Sequence, residues 1–121
     1  LPVTREHGIG LVTYSPLAMG MLTGKYDEGI PEDSRFATEP RSKERLLTDA
    51  NVERVRQLAL VAGELGLSRA QLALAWVLRE PGVSSVLTSA TKARQIEENL
   101  EAAGIELTGD VLAQIDRILA G

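Results

Sequence analysis

The sequence contains no cysteine and only one histidine, His7. It can therefore form no disulfide and no thiolate metal site, and it lacks the histidine clusters that usually bind zinc. No apolar run approaches the roughly 20 residues of a membrane-spanning helix, and no signal peptide opens the chain. We accordingly expect a cytoplasmic protein with no metal site and no segment inserted into a membrane.

Blocks of like charge are also absent. The 13 basic and 17 acidic residues give a net charge of −4, and the lack of a basic tract argues against a nucleic-acid partner. With 121 residues, 44% of them hydrophobic, the chain has the composition of a globular domain or of a piece of one.

Leu1 stands where an initiator methionine would be, and residues 4–8 are typical of a helix end with a glycine cap. We expect residue 1 to lie within a longer gene product.

The elements of the chain follow from its apolar pattern. Two short apolar runs, residues 9–14 and 83–88, predict parallel strands that are buried on both faces. The glycine- and proline-rich stretch 15–47 has no sustained period and predicts one long loop, which at this length is expected to be functional. Apolar residues at helical spacing predict a helix over 52–65. Three further helices are predicted to begin at the capping residues Ser68, Thr91 and Thr108.

This order of elements contains two β/α units and a final helix. Strands that are buried on both faces need neighbours on both sides, and two strands cannot supply them. A (β/α)8 barrel of about 250 residues would supply them. We therefore predict an α/β fold in which residues 1–121 form about the last two β/α units and the C-terminal helix of a (β/α)8 TIM barrel.

Two segments carry residues that suit a phosphate-bearing ligand. Residues 14–20, with the sequence Tyr-Ser-Pro-Leu-Ala-Met-Gly, follow directly after the first predicted strand. Small residues there let a ligand approach the backbone, Ser15 offers a hydroxyl, and Lys25 offers a positive charge. Residues 88–91 lead into a helix whose first N–H groups suit a phosphate. The alternatives are an ordinary Ser-Pro turn in the first segment and a plain helix cap in the second.

Several segments together resemble the aldo-keto reductase family. Residues 14–26 (YSPLAMGMLTGKY) are similar to the segment after the family's seventh barrel strand, and residues 95–99 (QIEEN) resemble its adenosine-binding helix. Residues 29–35 (GIP followed by SR), 72–79 (LALAWVLR) and 82–87 (GVSSVL) are similar to the branch of voltage-gated potassium channel β subunits and their bacterial relatives. The resemblance runs from residue 1 to residue 121.

This resemblance implies that NADP(H) binds in an extended pose without a separate dinucleotide-binding domain. Tyr14 would stack on the nicotinamide, Lys25 would lie beside the pyrophosphate, and Arg35 would close over the adenosine end. The residues implied to line the pyrophosphate are Ser15, Pro16, Leu17, Ala18, Met19 and Gly20. Those implied to meet the adenosine and its phosphates are Ser89, which stands where the family usually has glycine, with Thr91, Gln95, Glu98 and Asn99.

The family's catalytic aspartate, tyrosine, lysine and histidine are expected before residue 1, so we assign no catalytic residue within this chain. The resemblance implies a reductase that transfers a hydride from NADPH to a small aldehyde or ketone. Its other partners would be the N-terminal part of the barrel and, in a homo-oligomer, further copies. The alternative is a regulatory potassium channel β subunit that uses the nucleotide as a redox sensor. A third interpretation, a free-standing helical interaction module, is disfavoured by the two strands.

Overall fold

The computed structural model describes the whole chain, from Leu1 to Gly121. Two strands, β1 (Leu11–Thr13) and β2 (Val83–Val86), form a parallel sheet. The seven α-helices are α1 (Pro2–Glu6), α2 (Arg35–Thr38), α3 (Pro40–Leu46), α4 (Asp49–Glu64), α5 (Arg69–Leu78), α6 (Ala93–Glu101) and α7 (Gly109–Ala120). Short 3₁₀ helices span Ala18–Thr23 and Ala102–Gly104. This order agrees with the predicted two β/α units and final helix.

The two strands pair directly with each other. The N–H of Leu11 donates to the carbonyl of Gly82 over 2.9 Å, and the N–H of Leu87 donates to the carbonyl of Thr13 over 2.8 Å. Because the strands are parallel, their C-terminal ends lie at the same edge of the sheet. The loops that begin at Tyr14 and at Leu87 therefore start side by side.

Within residues 1–121 the two strands, predicted to be buried by neighbours that this chain does not contain, keep one face open. Helix α5 packs against β2, whereas Val12, Tyr14 and Leu87 are 62%, 80% and 60% exposed. Val12 and Tyr14 are two residues apart, so they share a face of the sheet, and the strand register places Leu87 on the same face. Nothing within residues 1–121 covers that face.

Side-chain caps begin three of the helices. The hydroxyl of Thr48 accepts the N–H of Asn51 at the start of α4, over 3.2 Å. At the start of α5, Ser68 and Gln71 cap each other's backbone N–H groups, over 3.1 and 3.0 Å. Thr108 accepts the N–H of Val111 at the start of α7. The predicted caps Ser68 and Thr108 are confirmed, and such caps satisfy N–H groups that the helix leaves free.

The prediction of one long loop over 15–47 is wrong in part. The segment contains the Ala18–Thr23 3₁₀ helix, α2 and α3. Pro40 stands at the first position of α3, where its fixed φ favours a helix and its missing N–H costs nothing. Phe36 of α2 is among the most deeply buried side chains, and this anchors a helix too short to show a period in the sequence.

Two apolar clusters form the core, and α4 contributes to both. The first cluster packs the 15–47 segment against the first half of α4 and consists of Met21, Tyr26, Phe36 and Val55. The second packs the end of α4 against α5 and α7 and consists of Val61, Ala62, Leu72 and Ile115. The long segment after β1 is therefore part of the packed core.

No single helix is long and apolar enough to cross a membrane. Helices α4 and α5 reach that length and composition only as a pair, and the chain bends by 88° between them. The structure also holds no group of three or more histidine, aspartate or glutamate side chains placed to bind a metal ion.

We predict that the 121-residue chain, expressed by itself, associates through the exposed face of its sheet, since an apolar patch of this kind favours self-contact. The double substitution Val12→Thr and Leu87→Thr should shift the chain toward monomer, measured by size-exclusion chromatography with light scattering. Leu60→Thr is the control, because Leu60 is 69% exposed but lies on α4. A monodisperse monomer of the unchanged chain would contradict this account.

Candidate functional site

The loop that follows β1 holds an unusual backbone. Ser15, Ala18 and Met19 have φ values of 56°, 48° and 59°, in the left-handed region that residues other than glycine rarely adopt. Each such residue costs on the order of 1–3 kcal/mol, and such strain concentrates at ligand-binding and active sites. The carbonyl of Leu17 accepts the N–H groups of Gly20 and Leu22, over 3.0 and 3.1 Å. The strained conformation is thus held by the loop's own hydrogen bonds.

Lys25 folds back over this loop. Gly20 has a φ of 94°, and a Cβ atom placed on it would lie 3.0 Å from Cε and 3.3 Å from Nζ of Lys25. Its φ favours glycine, and a side chain at position 20 would make the lysine shift by a few tenths of an ångström. The structure therefore brings the Lys25 ammonium to the 15–20 loop, where the sequence predicted a positive charge.

Tyr26 also belongs to this region, although it was not among the predicted site residues. Its ring is buried and stacks on Phe36 with 4.2 Å between ring centroids. Its hydroxyl donates to the carbonyl of Met19 over 3.3 Å and accepts the N–H of Phe36 over 3.4 Å. Arg35, next to Phe36, is exposed. The sequence signal that could have pointed to Tyr26 is that it is one of the few aromatic residues in the chain.

Residues after β2 line a groove with a volume of about 470 Å³ between β2, α5 and α6. Ser89 and Asn99, both predicted site residues, lie in its wall together with the apolar side chains of Ile96 and Leu100. The Asn99 amide donates to the hydroxyl of Thr88 over 3.4 Å. This contact joins the end of β2 to the middle of α6.

The prediction that Thr91 caps α6 is wrong. The N-cap residue is Lys92, and the Thr91 hydroxyl instead donates to the side-chain oxygen of Gln95, over 3.2 Å. The same oxygen accepts the backbone N–H groups of Thr91 and Lys92, over 2.8 and 3.2 Å. A glutamine at the third helical position can reach back in this way and satisfy N–H groups that lie ahead of the helix. These two backbone N–H groups therefore already have a hydrogen-bond acceptor, whereas the side-chain NH2 of Gln95 has no partner in the chain.

Helix α5 connects the two loops through its first turn. Arg69 forms an ion pair with Asp27, with 2.6 Å between Nη1 and Oδ2. Two residues on, the buried Gln71 donates to the carbonyl of Glu98 over 3.2 Å and to the carboxylate of Glu101 over 2.8 Å. One helix turn thus holds both the segment after β1 and helix α6.

The predicted site residues therefore form two groups at one edge of the sheet. The loop residues from Tyr14 to Gly20 lie with Lys25, and the second group, Ser89, Thr91, Gln95, Glu98 and Asn99, lies on or just before α6. Arg35 makes no hydrogen bond or ion pair with either group, and the Glu98 carboxylate has no partner in the chain.

The family model described as the aldo/keto reductase family matches residues 1–120. The chain belongs to this family. Relatives named "Probable voltage-gated potassium channel subunit beta" from Arabidopsis thaliana and from Oryza sativa subsp. japonica are each 48% identical over 98% of the chain, which covers 38% of their length. The "L-glyceraldehyde 3-phosphate reductase" of Escherichia coli O157:H7 is 42% identical over 99% of the chain, which covers 36% of its length. The chain thus spans little more than a third of the relatives that it matches.

We predict that Gly24→Ala destabilises the protein by about 1–3 kcal/mol. Gly24 has a φ of 83°, and an added Cβ atom would collide with the guanidinium of Arg69, which would displace Arg69 from Asp27. Gly63→Ala is the matched control, because Gly63 lies in α4 with no atom within 4 Å of an added Cβ. There alanine should leave the free energy of unfolding unchanged or raise it by up to about 1 kcal/mol. Urea denaturation measures both variants, and equal stabilities would refute the account.

Proposed function

We propose that residues 1–121 are the NADP(H)-binding part of an aldo-keto reductase, made of the last two β/α units and the C-terminal helix of its (β/α)8 barrel. The whole protein would reduce small aldehydes or ketones in the cytoplasm. The observation that supports this most directly is the parallel pairing of β1 and β2. Because of it, the strained 15–20 loop and the 87–92 loop both begin at the same edge of the sheet. In α/β barrels the C-terminal ends of the strands carry the site.

The first loop suits the nicotinamide and pyrophosphate portion of the cofactor. Tyr14 is 80% exposed, so its ring is free to stack on the nicotinamide. Residues 15–20 would line the pyrophosphate, since left-handed backbone at Ser15, Ala18 and Met19 is the kind of strain that concentrates at ligand-binding sites. Lys25, folded over Gly20, would supply the positive charge there.

The second loop and α6 suit the adenosine portion. Ser89 and Asn99 line the groove beside α6, and Thr91 and Gln95 stand at the start of that helix, whose dipole favours a phosphate. The free carboxylate of Glu98 and the amide of Asn99 would meet the adenine amino edge. Arg35 is exposed and without a partner, so it remains free to bind the 2′-phosphate in bidentate fashion.

The chain itself supplies no proton donor for the reaction. The hydroxyl of Tyr26 is buried and already bonded to Met19 and Phe36, so it is not available to a carbonyl substrate. The bound nicotinamide would supply the hydride, and this chain would bind the cofactor and orient it. The proton donor would come from the rest of the barrel.

A second candidate function is a regulatory subunit of a potassium channel. It is favoured by the 48% identity to relatives that carry a channel-subunit name. Both functions would use the same nucleotide site, so the site alone does not separate them. Turnover of aldehydes by the full-length protein supports the reductase, whereas co-purification with a channel and no turnover supports the subunit.

We predict that the full-length protein binds NADPH more tightly than NADH and that Arg35→Ala reduces this preference. A charge-assisted contact contributes about 1.5–3 kcal/mol, so the loss should be ten-fold or more for NADPH. NADH lacks the 2′-phosphate and should be affected much less. Dissociation constants from nucleotide fluorescence titrations measure both.

Arg41→Ala is the control, because Arg41 is an exposed arginine of the neighbouring helix α3. It should leave both dissociation constants unchanged. Equal losses for NADPH and NADH in Arg35→Ala would mean that Arg35 contacts only the shared part of the dinucleotide. Tighter binding of NADH by the unchanged protein would contradict the assignment of α6.

A further inference from the structure

We propose that Tyr26 is the positioning residue for Arg35: its buried hydroxyl holds the backbone beside Arg35 against the 15–20 loop. This inference rests on the proposed function, because it specifies how the arginine proposed to bind the 2′-phosphate is placed. The inference rests on the position of this hydroxyl between two segments. It donates to the carbonyl of Met19 in one and accepts the N–H of Phe36 in the other.

The hydroxyl is held in a fixed position. The Tyr26 ring is 3% exposed, stacks on Phe36 with an angle of 23° between the ring planes, and shares a cluster with Met21 and Val55. A buried tyrosine hydroxyl needs hydrogen-bond partners, and here the two partners belong to different parts of the chain. Tyr26 therefore links the loop after β1 to the start of α2.

The N–H of Phe36 depends on this hydroxyl. It lies in the first turn of α2, where a helix supplies no acceptor from within itself, and no backbone carbonyl accepts it. Removal of the hydroxyl would leave this buried N–H unsatisfied, which favours movement of the backbone toward another acceptor. Arg35 directly precedes Phe36, so the Cα atom from which the Arg35 side chain extends moves with that backbone.

The side chain of Arg35 has no polar contact that fixes it, although its backbone carbonyl accepts the N–H of Glu39 over 2.8 Å and the hydroxyl of Thr38 over 3.1 Å. Its side chain is exposed and forms neither a hydrogen bond nor an ion pair within the chain. Its backbone therefore fixes only the point from which this side chain extends, and Phe36, 1% exposed, anchors that backbone through its ring. The Tyr26 hydroxyl adds the only hydrogen bond that the Phe36 N–H makes, and it ties α2 to Met19 of the loop proposed to hold the pyrophosphate.

Tyr26→Phe tests the proposal, because it removes the hydroxyl and keeps the stacked ring. In the full-length protein we expect NADPH binding to weaken about three- to ten-fold, the effect of one lost hydrogen bond, and NADH binding to weaken less than about two-fold. In an Arg35→Ala background, Tyr26→Phe should weaken NADPH binding less than about two-fold, because its effect passes through Arg35. A role in stability alone would give the same fold-change in both backgrounds and for both nucleotides, and that result would overturn the proposal.

Amide hydrogen exchange gives a second readout that needs no nucleotide. Tyr26→Phe should accelerate exchange at the Phe36 amide more than at the amide of Ala62, which is buried in the second cluster and reports any loss of global stability. An unchanged Phe36 amide would overturn the proposal. If the unchanged protein binds neither NADPH nor NADH, the proposed function fails and this inference fails with it. If the unchanged protein binds NADPH and Tyr26→Phe binds it equally well, only the inference about Tyr26 fails.

Discussion

The parallel pairing of β1 and β2 is the interaction on which the candidate site depends. Each strand is only a few residues long, and the pair is closed by hydrogen bonds that include Leu11 to Gly82 and Leu87 to Thr13. These bonds bring together two loops that lie more than seventy positions apart in the sequence. Helix α5 then fixes what the strands bring together, since Arg69 holds the segment after β1 and Gln71 holds α6. Without the pairing, the strained loop and the groove beside α6 would have no common edge.

The strained loop is retained because the segment that follows it is packed. Three left-handed residues cost on the order of 1–3 kcal/mol each. Burial of large apolar side chains returns about 1.5–3 kcal/mol each, and Met21, Tyr26 and Phe36 are all buried within twenty residues of the loop. This burial anchors the segment that follows the loop, so the loop is held in a conformation that its own residues disfavour.

Local signals in the sequence were sufficient for much of this fold, because they act over a few residues. Ser68 and Thr108 begin helices as their spacing predicts, and the two apolar runs contain the two strands. The prediction for Thr91 was wrong because the Gln95 side-chain oxygen accepts its hydroxyl and its N–H, and the helix has its N-cap one residue later, at Lys92. Helices α2 and α3 are too short to show a period, and α2 is anchored by the long-range burial of Phe36. Tyr26 was not assigned a site role for the same reason, since its two hydrogen-bond partners become neighbours only in the folded chain. The resemblance to the family was sufficient to name the candidate site residues. The edge of the sheet at which they meet became known only from the pairing of the two strands.

The central claim is that both loops belong to one dinucleotide site, and a crystal structure of the full-length protein with NADP⁺ tests it most directly. The account predicts the nicotinamide against Tyr14, the pyrophosphate along residues 15–20 beside Lys25, and the adenosine between Arg35 and α6. Electron density for the nucleotide that avoids the 15–20 loop, or that leaves α6 without contact, would contradict it.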